Sequence, residues 1–280
     1  MVTLLALCSS LVWGTSDFAG GSFTKRIAAV RVVGVAQIGG LVIMTVVLLV
    51  RLVAGEVPAG GLWPLYGALA GITGAVGLVC FYAALSLGTM GVVSPIAAMG
   101  AIVPVTIGIS RGERFSVAVG IGLALMLLGV VLASGPELSG DAGRLPVLLA
   151  ACAACCFGLS LFFMNEGAAI DIVPALWAMR VASVATLLTA WWLWPGGPPG
   201  GSVRRRDVLP LMLVGSGDLA ANVLFSVAAT GGLVSVVSVL GSLYPVVTLL
   251  WARALLDERL RPIQLAGVAT TVAGLAFVVQ

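Results

Sequence analysis

Histidine is absent from this 280-residue chain, and lysine occurs once, at Lys25. Without an imidazole, the chain lacks the commonest metal ligand and the usual side-chain base near neutral pH. Charge of either sign is scarce: 9% of residues are Asp, Glu, Lys or Arg, against about 25% in soluble domains. Long polar stretches are missing as well, the longest being 195–207, so no soluble domain fits between the apolar runs. No paired-carboxylate motif is present, and the only phosphate-loop look-alike, Gly215-Ser216-Gly217, lies inside an apolar run with no strand before it. Direct use of ATP through a P-loop is therefore not expected. A net charge of +3, with the basic residues in short clusters between apolar runs, does not describe a nucleic-acid surface. Neither a metal nor a cofactor is expected.

What the chain has in abundance is apolar side chain, 60% of its residues, with a mean hydropathy of +1.18. A globule in water could not hide that much, because a large share of any folded surface stays exposed. Ten runs of roughly the 20 residues that span a bilayer as helix can be marked: 2–22, 30–52, 63–84, 90–110, 116–134, 146–165, 172–194, 207–229, 233–254 and 262–279. They lack the alternation of a membrane barrel. The first run has no basic residues ahead of it and is read as a retained helix, not a cleaved signal. Cys8, Cys80, Cys152, Cys155 and Cys156 all lie in apolar runs and are read as small packing residues. The abundance of Ala, Gly and Val, with Arg in place of Lys, suggests a GC-rich bacterial gene.

The two halves resemble each other. Trp13-Gly14 corresponds to Phe157-Gly158 and Phe81 to Phe225, each 144 residues apart. Ser94 and Pro104 correspond to Ser235 and Pro245 at 141. Glu113-Arg114 corresponds to Glu258-Arg259, and Gly122 and Gly129 to Gly267 and Gly274, at 145. Five helices per repeat is an odd number, so the second repeat must insert upside down relative to the first, a pattern of secondary transporters with a midplane site. The expected fold is thus all-α and integral to the membrane: ten transmembrane helices in two inverted five-helix repeats, 1–135 and 146–280, joined by a linker at 136–145.

These residues, together with Phe81-Tyr82-Ala83-Ala84-Leu85, resemble the EamA-type branch of the drug/metabolite transporter superfamily over essentially the whole chain. The resemblance implies a ten-helix bundle with a central cavity that exports or exchanges amino acids, metabolites or drugs across the cell's inner (plasma) membrane. The second half departs more from the pattern, with Ala228-Ala229-Thr230 where the first has Ala84-Leu85.

Charge inside the apolar runs marks the candidate site. Arg180 and Asp218 each cost about 2.5–3.5 kcal/mol at a bilayer centre, so each should face the interior with a partner. Two readings are open: a structural ion pair, or a pair lining the substrate path. Asn222, one turn after Asp218, extends that polar face. Asp17, one turn after Trp13, is read as a proton-coupling carboxylate, a substrate-ammonium contact, or a partner for Lys25 or Arg31. Trp13, Tyr82, Phe157 and Tyr244 are candidate cavity aromatics, with Trp177 a weaker one. Trp191, Trp192 and Trp194 read as an interfacial belt. Ser94, Ser235 and Ser238 suit hydrogen bonds between helices. Gly122, Gly129, Gly267 and Gly274 present flat helix stripes, used either between the fifth and tenth helices or between subunits, leaving monomer and homodimer open.

Orientation draws on two criteria that disagree. Loops after odd-numbered helices hold ten basic residues and those after even-numbered helices three, which places both termini outside; the family resemblance places them in the cytoplasm. The functional expectation is a secondary transporter alternating around a midplane cavity, with a small molecule and possibly protons as its partners in the bilayer. A non-transporting scaffold or channel subunit, or a lipid enzyme within the membrane, are the rival readings.

Overall fold

The computed structural model describes residues 1–87, 90–133, 144–193, 201–256 and 262–278. Glu258, Arg259, Arg261, Trp194 and most of the expected linker lie outside the described residues. Among the described residues there is no strand. The helices are α1 Val2–Thr24, α2 Ala29–Val53, α3 Trp63–Leu87, α4 Met90–Ala98, α5 Ile102–Ser110 and α6 Val117–Ala133. They continue as α7 Arg144–Ala168, α8 Ile172–Leu193, α9 Arg205–Thr230, α10 Val234–Gly241, α11 Tyr244–Leu256 and α12 Pro262–Val278. Seven segments among the described residues are long and apolar enough to cross a bilayer, and Ile96–Ser110, Val117–Leu132 and Pro262–Val278 are shorter apolar helices.

Two runs expected to be continuous are broken. The run at 90–110 changes to a 3₁₀ turn at Met99–Ala101, and the run at 233–254 stops at Ser242 and Leu243 before restarting as α11. Proline explains both. Pro104 and Pro245 have no N–H to give to the carbonyls of Gly100 and Gly241 four residues earlier, so the α-helical ladder fails just there. Each proline sits in the first turn of the resumed helix, where its missing donor costs nothing.

The bundle is sorted for lipid, not for water. On α2, Val32, Val33, Ala36, Gln37, Gly40 and Met44 are buried, while Val42, Val46, Leu49 and Val50 are exposed, a helical period with apolar side chains outward. With hydrocarbon outside, apolar burial does not drive assembly; close backbone packing does. Gly71 of α3 lies so near the Met179 carbonyl of α8, and Gly215 of α9 so near the Ala36 carbonyl of α2, that a Cβ at either would overlap it. Accordingly α3 packs chiefly on α7 and α8, α9 on α1 and α2, and α6 on α12; α2 also packs on α8, α1 on α11 and α4 on α7.

Apart from one buried pair, the ion pairs among the described residues sort to two rims. At one, Arg26 pairs with Asp207 at 2.7 Å and the Ala28 N–H donates to the Gly201 carbonyl, tying the end of α1 to the start of α9. At the other, Arg51 pairs with Glu56 (2.7 Å) and Asp171 (2.9 Å), and Arg111 with Glu166 (2.6 Å). Glu113, also at this second rim, accepts the Val234 and Ser235 N–H groups at 2.9 and 3.1 Å, capping α10. A carboxylate there satisfies two orphan donors and faces the positive end of the helix dipole. Glu113→Ala should therefore lose about 1–3 kcal/mol, read as an earlier melt of the detergent-purified protein. An unchanged melt would mean that water caps α10 equally well.

Candidate functional site

Where α1, α8 and α9 meet beside α2, five side chains join through hydrogen bonds. The Arg180 guanidinium is fully buried, and its Nη1 donates to Asp218 Oδ2 at 2.7 Å and to Gln37 Oε1. Asp218 also accepts Trp13 Nε1–H at 3.2 Å, and the Asn222 amide donates to the Asp218 carbonyl at 2.8 Å and to its Oδ2 at 3.3 Å. A carboxylate with donors from α1, α8 and α9 is well compensated, which is what an ion at this depth requires. Arg180 Nε and Nη2 are buried without a hydrogen-bond partner among the described residues.

Above this network lies a cavity of about 80 Å³. Trp13, Asp17, Phe157, Asp218, Asn222 and Tyr244 line it. Tyr82 and Arg180 do not; they stand behind its wall, Tyr82 donating its hydroxyl to Asp17 Oδ1 at 3.4 Å and Arg180 holding Asp218. Asp17 forms no salt bridge among the described residues, so neither Lys25 nor Arg31 is its partner there. The aromatic walls are braced from behind: Phe225 packs on Trp13 with ring centroids 5.6 Å apart, and Phe81 packs on Phe157 at 5.8 Å and on Tyr244 at 6.3 Å.

The remaining named residues fall elsewhere. Trp177 donates to Thr45 Oγ1 at 3.2 Å, joining α8 to α2 outside the cavity. Ser235 Oγ donates to the Val105 carbonyl at 3.4 Å, while Ser94 Oγ and Ser238 Oγ are buried and, contrary to expectation, make no hydrogen bond between helices among the described residues. Trp191 and Trp192 are exposed at the end of α8. Gly122 and Gly129 face Gly274, Thr271 and Gly267, so this glycine stripe joins α6 to α12 inside one chain. Cys80 Sγ and Cys152 Sγ are 3.7 Å apart on adjoining faces of α3 and α7. Among the described residues no three His, Cys, Asp or Glu side chains gather as metal ligands would.

Sequence reasoning missed Gln37, Met179 and Ser183, and also Gly100, Gly241 and Ser242 at the two helix breaks, all lining the cavity. A signal existed for some of them. Gln37 is the one amide in the second apolar run, and Pro104 and Pro245 mark the turns that carry Gly100, Gly241 and Ser242. Met179 and Ser183 carried none.

A multi-pass helical bundle with ionisable groups gathered at an internal cavity is the architecture of a membrane transport protein. The model of the EamA-like transporter family matches residues 1–135 and 144–280. The chain belongs to that family, a membrane transporter family of the drug/metabolite type. A solved structure described only as "Crystal structure of protein" has a similar fold: TM-score 0.76 and 19% identity over 99% of this chain and 95% of that one. No curated protein matches.

Proposed function

We propose that this chain is a secondary transporter, an exporter or exchanger of small metabolites such as amino acids or drug-like compounds, in the cell's inner membrane. The observation that carries the reading is the cavity itself, walled by aromatics from both halves and lined by Asp17 and Asp218, the latter paired with Arg180 behind the wall. In this reading ten spans form two inverted repeats, 1–135 and 146–280, that rock about the cavity. The packing supports it: exchanging the halves turns the α1–α9 contact into α7–α3, and α2–α9 into α8–α3, while α6–α12 and α2–α8 map onto themselves. The aromatic braces exchange likewise, Trp13–Phe225 for Phe157–Phe81.

The cavity's volume of about 80 Å³ holds a few waters, against roughly 300–1,000 Å³ for ligand pockets. Loading a metabolite therefore requires its walls to separate. The breaks at 99–101 and 242–243 are the natural places for that motion, since backbone there is not locked in a helical ladder. Asp218 is neutralised by Arg180; Asp17, hydrogen-bonded to Tyr82, is left to bind a substrate ammonium or a coupling proton. In proteoliposomes, a panel of amino acids, amines, nucleosides and sugars should contain a compound moved with saturation and stimulated by counter-substrate. Asp17→Asn should abolish that flux and leave the protein monodisperse. A non-saturating conductance would establish a channel instead, and full flux in Asp17→Asn would remove the carboxylate from the mechanism.

A further inference from the structure

Apart from the central cavity, a second concavity of about 430 Å³ opens between α2 and α8 on the outer face of the bundle. Its walls are apolar: Val35 and Ile38 from α2, Leu187 and Leu188 from α8. From Val30 to Ile38 it descends eight residues of helix, about 12 Å, close to the depth of one leaflet's hydrocarbon. Ile38, Leu188 and Trp191 are exposed, so the groove faces the lipid.

Gly34 forms part of its floor, and no packing within the described residues explains that glycine. A Cβ there would meet nothing within 4 Å, whereas on the same helix Gly39 abuts the Met212 carbonyl and Gly40 abuts Arg180 Nε. A glycine inside a helix is costly, and here it only widens the groove. At the mouth, Arg31 lies over the Trp191 ring, 5.2 Å from its centroid, and gives Nη1–H to the Gly201 carbonyl at 3.0 Å. The rim around it is basic, with Lys25 and Arg204, Arg205 and Arg206 at the neighbouring helix ends.

An apolar slot one leaflet deep, with Trp191 and Arg31 at its mouth, matches an acyl chain joined to an anionic head group. We propose that the α2–α8 groove is a binding site for an anionic phospholipid, one acyl chain lying over Gly34 and the phosphate at Arg31. Gln37 and Arg180 lie on the same two helices, beside Ile38 and one turn from Val184 respectively, so the site adjoins the buried ion pair.

The test uses full-length, delipidated protein in detergent, titrated with phosphatidylglycerol or phosphatidylcholine and followed by thermal melting and native mass spectrometry. Phosphatidylglycerol should be retained about tenfold more tightly than phosphatidylcholine and raise the melt further. Arg31→Gln should erase that preference while leaving phosphatidylcholine binding intact. Gly34→Leu, whose Cβ would meet no described residue within 4 Å, should lose both lipids without unfolding. The double variant Arg205→Gln/Arg206→Gln, on the same rim outside the groove, should keep the preference. Equal retention of the two lipids by the unmutated protein overturns the proposal. So does a Gly34→Leu protein that holds lipid as before, including one that changes only its oligomeric mass, which would make the groove a contact between copies.

Discussion

Arg180→Ala is expected to destabilise the protein by about 3–5 kcal/mol, the usual loss when one member of a buried ion pair is removed. The cost comes from Asp218. Its side chain is 19% exposed, and without the guanidinium it would keep only the Trp13 and Asn222 donors at an apolar depth. Removing both charges should be far milder. A neutral Arg180→Met/Asp218→Asn protein is expected to recover most of the lost stability, since a well-packed apolar replacement often equals a buried pair. Thermal melts of the three variants in one detergent measure this as a double-mutant cycle. If Arg180→Ala melts as the unmutated protein does, Asp218 is hydrated through the cavity and the pair contributes little. Flux in the folded double variant then separates the two roles: transport that persists without either charge makes the pair structural.

The second large effect is expected at the α6–α12 seam. A Cβ on Gly122 would lie 2.7 Å from the Gly274 carbonyl oxygen and 2.9 Å from Phe277 Cβ. One on Gly274 would lie 2.7 Å from the Gly122 carbonyl oxygen. In each case the facing glycine's backbone carbonyl is among the nearest obstacles, and it cannot move aside as a side chain could without the two helices separating. Gly122→Ala should cost about 1–3 kcal/mol as overpacking, and Gly122→Leu more. Gly120, two residues away, provides the control. The nearest atom to its Cβ would be a Phe115 ring carbon at 3.4 Å, so Gly120→Ala should be neutral or gain up to about 1 kcal/mol of helix propensity. Equal melts for the two alanine variants would show that the seam opens freely. Loss of a dimer in Gly122→Ala, with an unchanged melt, would move the contact to a subunit interface.

Composition and run length determined what kind of molecule this is. So few charges and so much apolar side chain admit only lipid as solvent, and helix is the structure that satisfies its own backbone there. The pairing of Arg180 with Asp218 was legible for the same reason, because an ion in hydrocarbon requires a partner and these two were the ones at depth. Tertiary structure alone decided which groups face the space between helices. Tyr82 looked like a wall residue and instead stands behind the wall, because it hydrogen-bonds Asp17. Met179 and Ser183 line the cavity by the rotation of α8, which close packing of α3 at Gly71 sets and no local pattern reveals. The breaks at Gly100 and Gly241 lie between these cases: Pro104 and Pro245 announced them, but only the folded chain brings both turns to one cavity. Local chemistry fixes where a chain can bend and what it must bury; the approach of distant backbones fixes what those places meet.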